Sequence, residues 1–346
     1  MTSSRALSVA SSTAKFETKT IERREVGPHD VRIQIAYSGI CHSDIHQVRN
    51  EWFDGIFPMV PGHEIAGYVI EVGADVKKFS IGERVGVGTF VDSCRECEYC
   101  LAGDENFCLK GNVQTYNGRF YDGTPTLGGY SSEIVVDENY TLKIPDGLEL
   151  DEAAPLLCAG VTVYSPLVHW KVGPGKKVAI IGMGGLGHIA VKLAVAMGAY
   201  VTVLGRTMDK RADALEFGAH DYRATTEAGT LEDLKNSFDL VLNASSANLP
   251  VDSILAMLRV GGSLVNVGLP GKPESFDPFS LITGLKSIAG SNTGSIRATQ
   301  EMLEFCAKHS IGATIEVINA SQVDEAYDRV VASDVRYRFV IDASTI

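Results

Sequence analysis

Four of the seven cysteines lie between positions 94 and 108: Cys94, Cys97, Cys100 and Cys108, in the pattern C-x2-C-x2-C-x7-C. Two-residue gaps let neighbouring thiolates turn onto one ion, and the longer gap, eased by Gly103, closes the loop from the other side. Four thiolates in a reducing environment suit a closed tetrahedral zinc site, whose role is structural because no coordination position is left for a substrate. An iron–sulfur cluster could use the same ligands, but no partner for electron flow is evident. Two further cysteines have different company. Cys41-His-Ser-Asp-Ile-His46 and Gly62-His63-Glu64 sit on turns between early strands, and Cys158 lies in a segment leading into the second half of the chain. Two thiolates and one imidazole from separated segments would leave zinc a fourth, open position. Such an ion polarises an oxygen atom and lowers the pKa of a hydroxyl bound to it. Each fragment taken alone is as well explained by packing, a buried cysteine behaving as a small hydrophobe.

Gly182-Met-Gly184-Gly185-Leu186-Gly187 reads G-x-G-x-x-G, directly after an apolar run and at the opening of a helical pattern. In that context Gly182 permits a tight turn, Gly184 lets the backbone approach a pyrophosphate and Gly187 lets the helix pack on its sheet. The helix N-terminus then faces the phosphates with its partial positive charge. A site for NAD places Asp or Glu about 20 residues on, at the end of the next strand, to grip the ribose hydroxyls. This chain has Leu204-Gly-Arg206-Thr207 there, with Lys210-Arg211 close behind. Arg206 can stack on adenine or pair with a 2′-phosphate, Thr207 can donate to it, and Lys210 or Arg211 adds charge. The expected cofactor is NADP(H).

Elements must hold these groups in place. With 346 residues and a prior of ~150 per domain, two domains are expected. The first ~150 residues read as short alternating strands broken by glycine-containing turns. Val31–Tyr37, Tyr68–Val72, Arg84–Val87 and Ser132–Val136 are the clearest. The pattern changes near Asp151. Lys177–Ile181, Tyr200–Leu204, Phe238–Leu242, Gly262–Val267 and Ser287–Gly290 alternate with helical stretches such as Leu186–Met197 and Met208–Phe217. That alternation is the mark of a doubly wound parallel sheet in an α/β fold. Helices near Arg297–Lys308 and Val323–Ala332 and a strand at Tyr337–Ile341 form a tail, which periodicity assigns to neither half.

Composition narrows the function classes. Thirty-one basic against 43 acidic residues give a net charge of −12, with no basic stripe, which disfavours nucleic acid as a partner. The longest uncharged stretch, Ala153 to Trp170, carries two prolines and several polar residues, so it reads as a buried element and not as a membrane span. No apolar run near Met1 suggests a signal peptide, and a cytoplasmic location is the expectation.

Taken together and in order, Cys41-x-Ser43-x-x-His46, Gly62-His63-Glu64, the four-cysteine lobe, Cys158 and Gly182-Met-Gly-Gly-Leu-Gly187 resemble the zinc-dependent medium-chain alcohol dehydrogenases over nearly the whole chain. Gly290-Ser-Asn292-Thr-Gly and the ending Tyr337-Arg-Phe-Val-Ile-Asp resemble the cinnamyl-alcohol-dehydrogenase-like branch, especially its bacterial members. The resemblance implies a GroES-like β-rich catalytic domain, 1–150 and 287–346, carrying a structural zinc lobe, with a Rossmann domain, 151–286, inserted between. It implies two zinc ions per subunit. Cys41, His63 and Cys158 match the catalytic zinc ligands, and Glu64 matches a carboxylate behind the zinc that enters the coordination shell as ligands exchange. Asp44 matches the group that fixes the tautomer of His63. Ser43 would take the substrate hydroxyl proton and pass it, through the cofactor ribose, to His46 near solvent. His42, Thr162, Asn292 and Arg336 match cofactor contacts, beside the glycine turn and the basic residues after it.

The implied reaction is hydride exchange between NADP(H) and a primary alcohol or aldehyde, aromatic or medium-chain, with zinc as Lewis acid. Trp52, Phe53, Phe90 and Tyr116 are candidates for an apolar substrate pocket, with core packing the competing explanation for each. Relatives suggest a homodimer. A polyol or amino-alcohol dehydrogenase of the same superfamily is the nearest alternative; Cys158 counts against the polyol branch, where glutamate often supplies the third ligand. A non-catalytic zinc- and nucleotide-binding protein is the alternative from another class, opposed by the presence of every open-site ligand together with Ser43 and His46.

Overall fold

Alternation between Asp30 and Gly39 turns Val31, Ile33 and Ile35 to one face, where each is at most 4% exposed, and makes this strand the centre of a seven-stranded sheet. Ile65–Val72, Arg84–Val87 and Leu142–Lys143 follow on one side of it, and Arg338–Asp342 and Ile315–Ile318 on the other. Glu133–Asp137 pairs with the same central strand. Thr2–Ser8 and Glu17–Arg23 form an antiparallel hairpin, and Phe90–Asp92 pairs with Val113–Gln114. The coordinates are a computed structural model and describe residues 2–346. This sheet belongs to a unit running to Val161 and resuming at Gly294–Ile346, with a core that includes Ile33, Ile65, Val85, Tyr130 and Phe339.

The second unit is Thr162–Thr293. Its six strands are all parallel, in the order Asp221–Ala224, Tyr200–Gly205, Lys177–Ile181, Phe238–Asn243, Leu258–Asn266, Ser287–Gly290. Numbered along the chain this is 3-2-1-4-5-6, the doubly wound order, which reverses between Lys177–Ile181 and Phe238–Asn243. Val178–Ile181 and Val201–Leu204 are almost wholly buried, as strands covered on both faces must be.

Both expected boundaries shift. Residues 150–157 coil into the short helical turns Leu150–Ala153 and Ala154–Leu157, which pack on the first unit's strands with Leu156 and Leu157 buried. A division at 150/151 would strip that unit of core. At the other end, Ser287–Gly290 pairs with Ser263–Asn266 as the sixth strand of the parallel sheet, so a division at 286/287 would cut a strand from its ladder. The tail strand Arg338–Asp342 pairs antiparallel with Tyr37–Gly39, which places the tail in the first unit. The hairpin near the N-terminus was not anticipated, because its outward face (Thr18, Thr20, Glu22) carries no apolar alternation. Among the described residues no helix is long and apolar enough to cross a membrane.

Candidate active site and metal centres

Cys41 follows the central strand at the N-cap of the helix His42–Val48; His63 and Glu64 immediately precede Ile65–Val72; Cys158 ends the turn Ala154–Leu157. The fold brings ligand atoms of all four within 4.8 Å of one another, entirely inside the first unit. His63 Nδ1–H donates to Asp44 Oδ1 at 3.0 Å, which turns Nε2 towards the thiols. Asp44, fully buried, also accepts from the Cys41 backbone N–H at 2.9 Å. A hydrogen bond from Cys158, with help from the His63 and Arg338 charges and against the cost of burial, holds the Cys41 thiol well below its ordinary value. Burial pushes the Glu64 carboxyl up to about 8, although Arg338 opposes this. The Arg338 guanidinium reaches both Glu64 oxygens at 2.5 and 2.6 Å and the Ile40 carbonyl at 2.9 Å. Glu64 is therefore engaged from behind, while two thiols and one imidazole face each other. This donor set fits zinc with one position left open.

Ser43 Oγ lies 3.4 Å from Cys41 Sγ. His46, on the next turn of the same helix, stacks between His42 (4.7 Å) and Trp52 (4.5 Å), and its Nδ1 contacts the Glu51 carboxylate. Trp52 and Phe53 are 36% and 69% exposed, respectively. The other two pocket candidates take packing places. Phe90 is buried in the core with its ring edge-on to Tyr140, and Tyr116 is buried with its ring stacked on His63 at 5.8 Å and its hydroxyl donating to the Ser43 carbonyl.

In the lobe, Cys94, Cys97, Cys100 and Cys108 also hold their sulfurs within 4.8 Å. Cys94–Cys100 is 3.8 Å and Cys97–Cys100 is 3.4 Å. Four sulfurs about 2.3 Å from one ion stand about 3.8 Å apart, so this spacing fits a tetrahedral zinc. Backbone N–H groups of Leu109 and Cys100 bring the Cys97 thiol down to about 6, and the Cys94 and Cys97 amides donate to the sulfurs of Cys108 and Cys94. Cys97 caps the short helix Glu98–Ala102, which Gly103 ends in a left-handed conformation.

The glycine turn leaves Lys177–Ile181 and enters the helix Gly187–Ala196. Gly182 has φ +83°; a Cβ on Gly187 would lie 1.9 Å from the Gly182 carbonyl oxygen; a Cβ on Gly184 would meet nothing within 4 Å. Gly185 and Leu186 complete the turn. Lys210 Nζ donates to the Met183 carbonyl at 2.9 Å, which brings the ammonium to the turn itself. Arg206 and Arg211 are exposed. Thr207 differs from expectation: its hydroxyl donates to Asp209 Oδ2 at 2.8 Å, so an acid two residues on occupies the donor expected to serve a phosphate. Thr162, on the helix Ala159–His169, and the exposed Asn292 belong to the second unit. Arg336 is exposed in the first, its backbone N–H bonded to Glu316.

Sequence reading missed Arg338, Tyr130, Tyr327 and Glu51. Glu51 lies beside Trp52, and Arg338 lies two residues from Arg336 without itself being assigned a role; Tyr130, Tyr327 and Arg338 bond to partners 86, 197 and 274 residues away along the chain.

Residues 27–146 match the family described as alcohol dehydrogenase GroES-like domain, and residues 185–308 match the zinc-binding dehydrogenase family. The chain is 62% identical over 342 residues to a probable formaldehyde dehydrogenase of Bacillus subtilis, covering 99% of this chain and 98% of that one. It is 56% identical to an NADP-dependent alcohol dehydrogenase C of Mycolicibacterium smegmatis, with the same coverage. A cinnamyl alcohol dehydrogenase structure from Sorghum bicolor superposes with a TM-score of 0.95 at 40% identity, covering 99% of this chain and 98% of that chain.

Proposed function

The chain belongs to the zinc-dependent medium-chain alcohol dehydrogenases, in their cinnamyl-alcohol-dehydrogenase-like branch, and from that membership we propose an NADP(H)-linked alcohol dehydrogenase and aldehyde reductase acting on aromatic or medium-chain primary alcohols and aldehydes. The observation that carries this reading is the convergence of Cys41, His63, Glu64 and Cys158, with Asp44 on the far nitrogen of His63 and Arg338 on Glu64. Zinc held there supplies Lewis acidity towards a substrate oxygen, and NADP(H) supplies or accepts the hydride.

The protein's own groups do the rest. Cys41, His63 and Cys158 hold the metal, with Asp44 fixing the His63 tautomer so that Nε2 is the ligand atom. Arg338 retains Glu64 behind the cluster, from where it can enter as ligands exchange. Ser43 takes up or returns the hydroxyl proton at Oγ, and His46, on the next turn of the same helix and held by Glu51, exchanges it with water. Trp52 and Phe53 offer apolar surface to the substrate. A second zinc in the four-cysteine lobe braces the fold.

Gly182, Gly184 and Gly187 shape a turn that takes the pyrophosphate. The absence of an acid at the end of Tyr200–Gly205, together with Arg206, Lys210 and Arg211, supports a 2′-phosphate there. Thr162, His42, Asn292 and Arg336 complete the proposed cofactor contacts. Val260, Leu269, Phe279, Ile282 and Leu285 stand exposed around the last strands of the second unit, an apolar surface that suits a homodimer. Seven free cysteines suit a reducing cytoplasm.

Initial rates with NADPH and NADH across aromatic and aliphatic aldehydes test the proposal. Reduction of aldehydes with a clear preference for NADPH is expected; equal use of NADH would remove the 2′-phosphate reading.

A further inference from the structure

The segment from Leu127 to Ser131 crosses directly over the loop that carries His63. Gly128 N–H donates to the Val60 carbonyl (2.7 Å), Gly129 N–H to Gly62 (2.9 Å) and Tyr130 N–H to Pro61 (2.9 Å). The two backbones approach with no side chain between them: a Cβ on Gly128 would lie 2.4 Å from the Pro61 oxygen, and one on Gly62 would lie 2.5 Å from the Tyr130 ring. Arg23, only 7% exposed, clamps the segment from its other side, donating to the carbonyls of Leu127 and Gly128 and to Ser131 Oγ at 2.5, 2.8 and 2.6 Å. Three bonds from one buried guanidinium to a five-residue stretch leave it little freedom.

What this strap delivers is the Tyr130 hydroxyl. The ring is wholly buried beside Phe16, and the hydroxyl donates to Asp44 Oδ2 at 3.2 Å while accepting from Tyr327 at 3.4 Å. Asp44 gives its Oδ1 to His63 and shares Oδ2 between the Cys41 amide and Tyr130. One buried carboxylate thus touches the segments of two metal-binding residues. A carboxylate out of water needs its lone pairs occupied; Tyr130 donates to it opposite His63, and the buried Tyr116 hydroxyl also interacts with it.

We infer that Tyr130 is a positioning residue for the metal site: its hydroxyl fixes the Asp44 carboxylate that orients both His63 and Cys41, and the strap 127–131, pinned by Arg23, holds that hydroxyl in place. The inference rests on the reading of Cys41, His63 and Cys158 as a zinc site. Phenylalanine keeps the ring and removes the bond to Asp44 together with the one accepted from Tyr327, and Tyr327→Phe removes the second alone.

The experiment is zinc release to a chromogenic chelator from full-length wild type, Tyr130→Phe and Tyr327→Phe, with the absorption spectrum of the cobalt-substituted proteins alongside. Loss of a partner that orients a ligand typically costs 10–100-fold in metal affinity. Tyr130→Phe should therefore release one of its two metals about tenfold faster, with an altered cobalt spectrum and a lower kcat at unchanged KM for NADPH. The four-cysteine metal should leave at the wild-type rate. Tyr327→Phe weakens the same bond at one remove and should speed release about threefold, within the range of a neutral hydrogen bond. Wild-type release and spectrum in Tyr130→Phe, whatever its melting temperature, would overturn the inference. Should that variant fail to fold, wild-type release from Tyr327→Phe would overturn it equally. A wild-type zinc content that Cys158→Ser leaves unchanged would instead overturn the metal-site reading, and the inference with it.

Discussion

Alanine substitutions at Gly187 and Gly184, three residues apart, separate packing from cofactor approach in the glycine turn. Alanine at Gly187 would put its Cβ 1.9 Å from the Gly182 carbonyl oxygen, a backbone atom that cannot rotate away. The helix Gly187–Ala196 must move off Lys177–Ile181, at an overpacking cost of about 1–3 kcal/mol. For a unit of this size that corresponds to a fall in melting temperature of about 4–12 °C without nucleotide. Alanine at Gly184 meets nothing within 4 Å, and no left-handed φ opposes it. There the apoprotein should gain, by about 0.4–1 kcal/mol, because the unfolded chain loses freedom. Its Cβ nevertheless occupies the space through which a pyrophosphate reaches the backbone. NADPH affinity should fall about tenfold or more, equivalent to at least ~1.4 kcal/mol. Thermal unfolding without cofactor and fluorescence titration with NADPH read the two effects separately. If Gly184→Ala binds NADPH within twofold of wild type, or melts as low as Gly187→Ala, the assignment of that turn to phosphate is refuted.

Other substitutions probe the remaining assignments. Arg206→Asp should raise KM for NADPH about tenfold or more with little change for NADH, since it removes a charge-assisted bond that only the 2′-phosphate can make; equal effects on both cofactors would remove that role. Arg338→Met leaves the buried Glu64 carboxyl without its hydrogen-bond donors and should cost about 1–3 kcal/mol in a denaturant titration. Adding Glu64→Gln should recover a large part of that loss, and strict additivity of the two changes would contradict the pairing. Cys97→Ser should lower the zinc content by one and the melting temperature together, because the lobe loses its ion; a stable lobe with undiminished zinc would contradict the closed site.

How far the molecule could be read in advance depended on the range of each signal. Lys177–Ile181, Gly182–Gly187 and the strand–helix alternation after them are local patterns, and they appear where expected because burial on both faces demands a continuous apolar run. The four-cysteine lobe is local as well. Arg338 and Glu64 stand 274 residues apart, and no neighbour of either announces the other; only the pairing of the tail strand with Tyr37–Gly39 brings them together. Tyr130 and Tyr327 look like ordinary core aromatics until their hydroxyls are seen to lead to Asp44. The boundary near Cys158 was misplaced for a related reason. Composition changes at Asp151, but Leu156 and Leu157 still belong to the first core, so the last metal-binding cysteine lies in the same unit as the others.

The central claim is that an open zinc site built on Cys41, His63 and Cys158 carries the reaction. Its most direct test is aldehyde-dependent NADPH oxidation by Cys158→Ser, with zinc counted per chain in the same preparation. The account predicts a folded protein with one zinc in place of two and no measurable turnover. Full turnover with one zinc, or two zinc ions retained at undiminished rate, would contradict it.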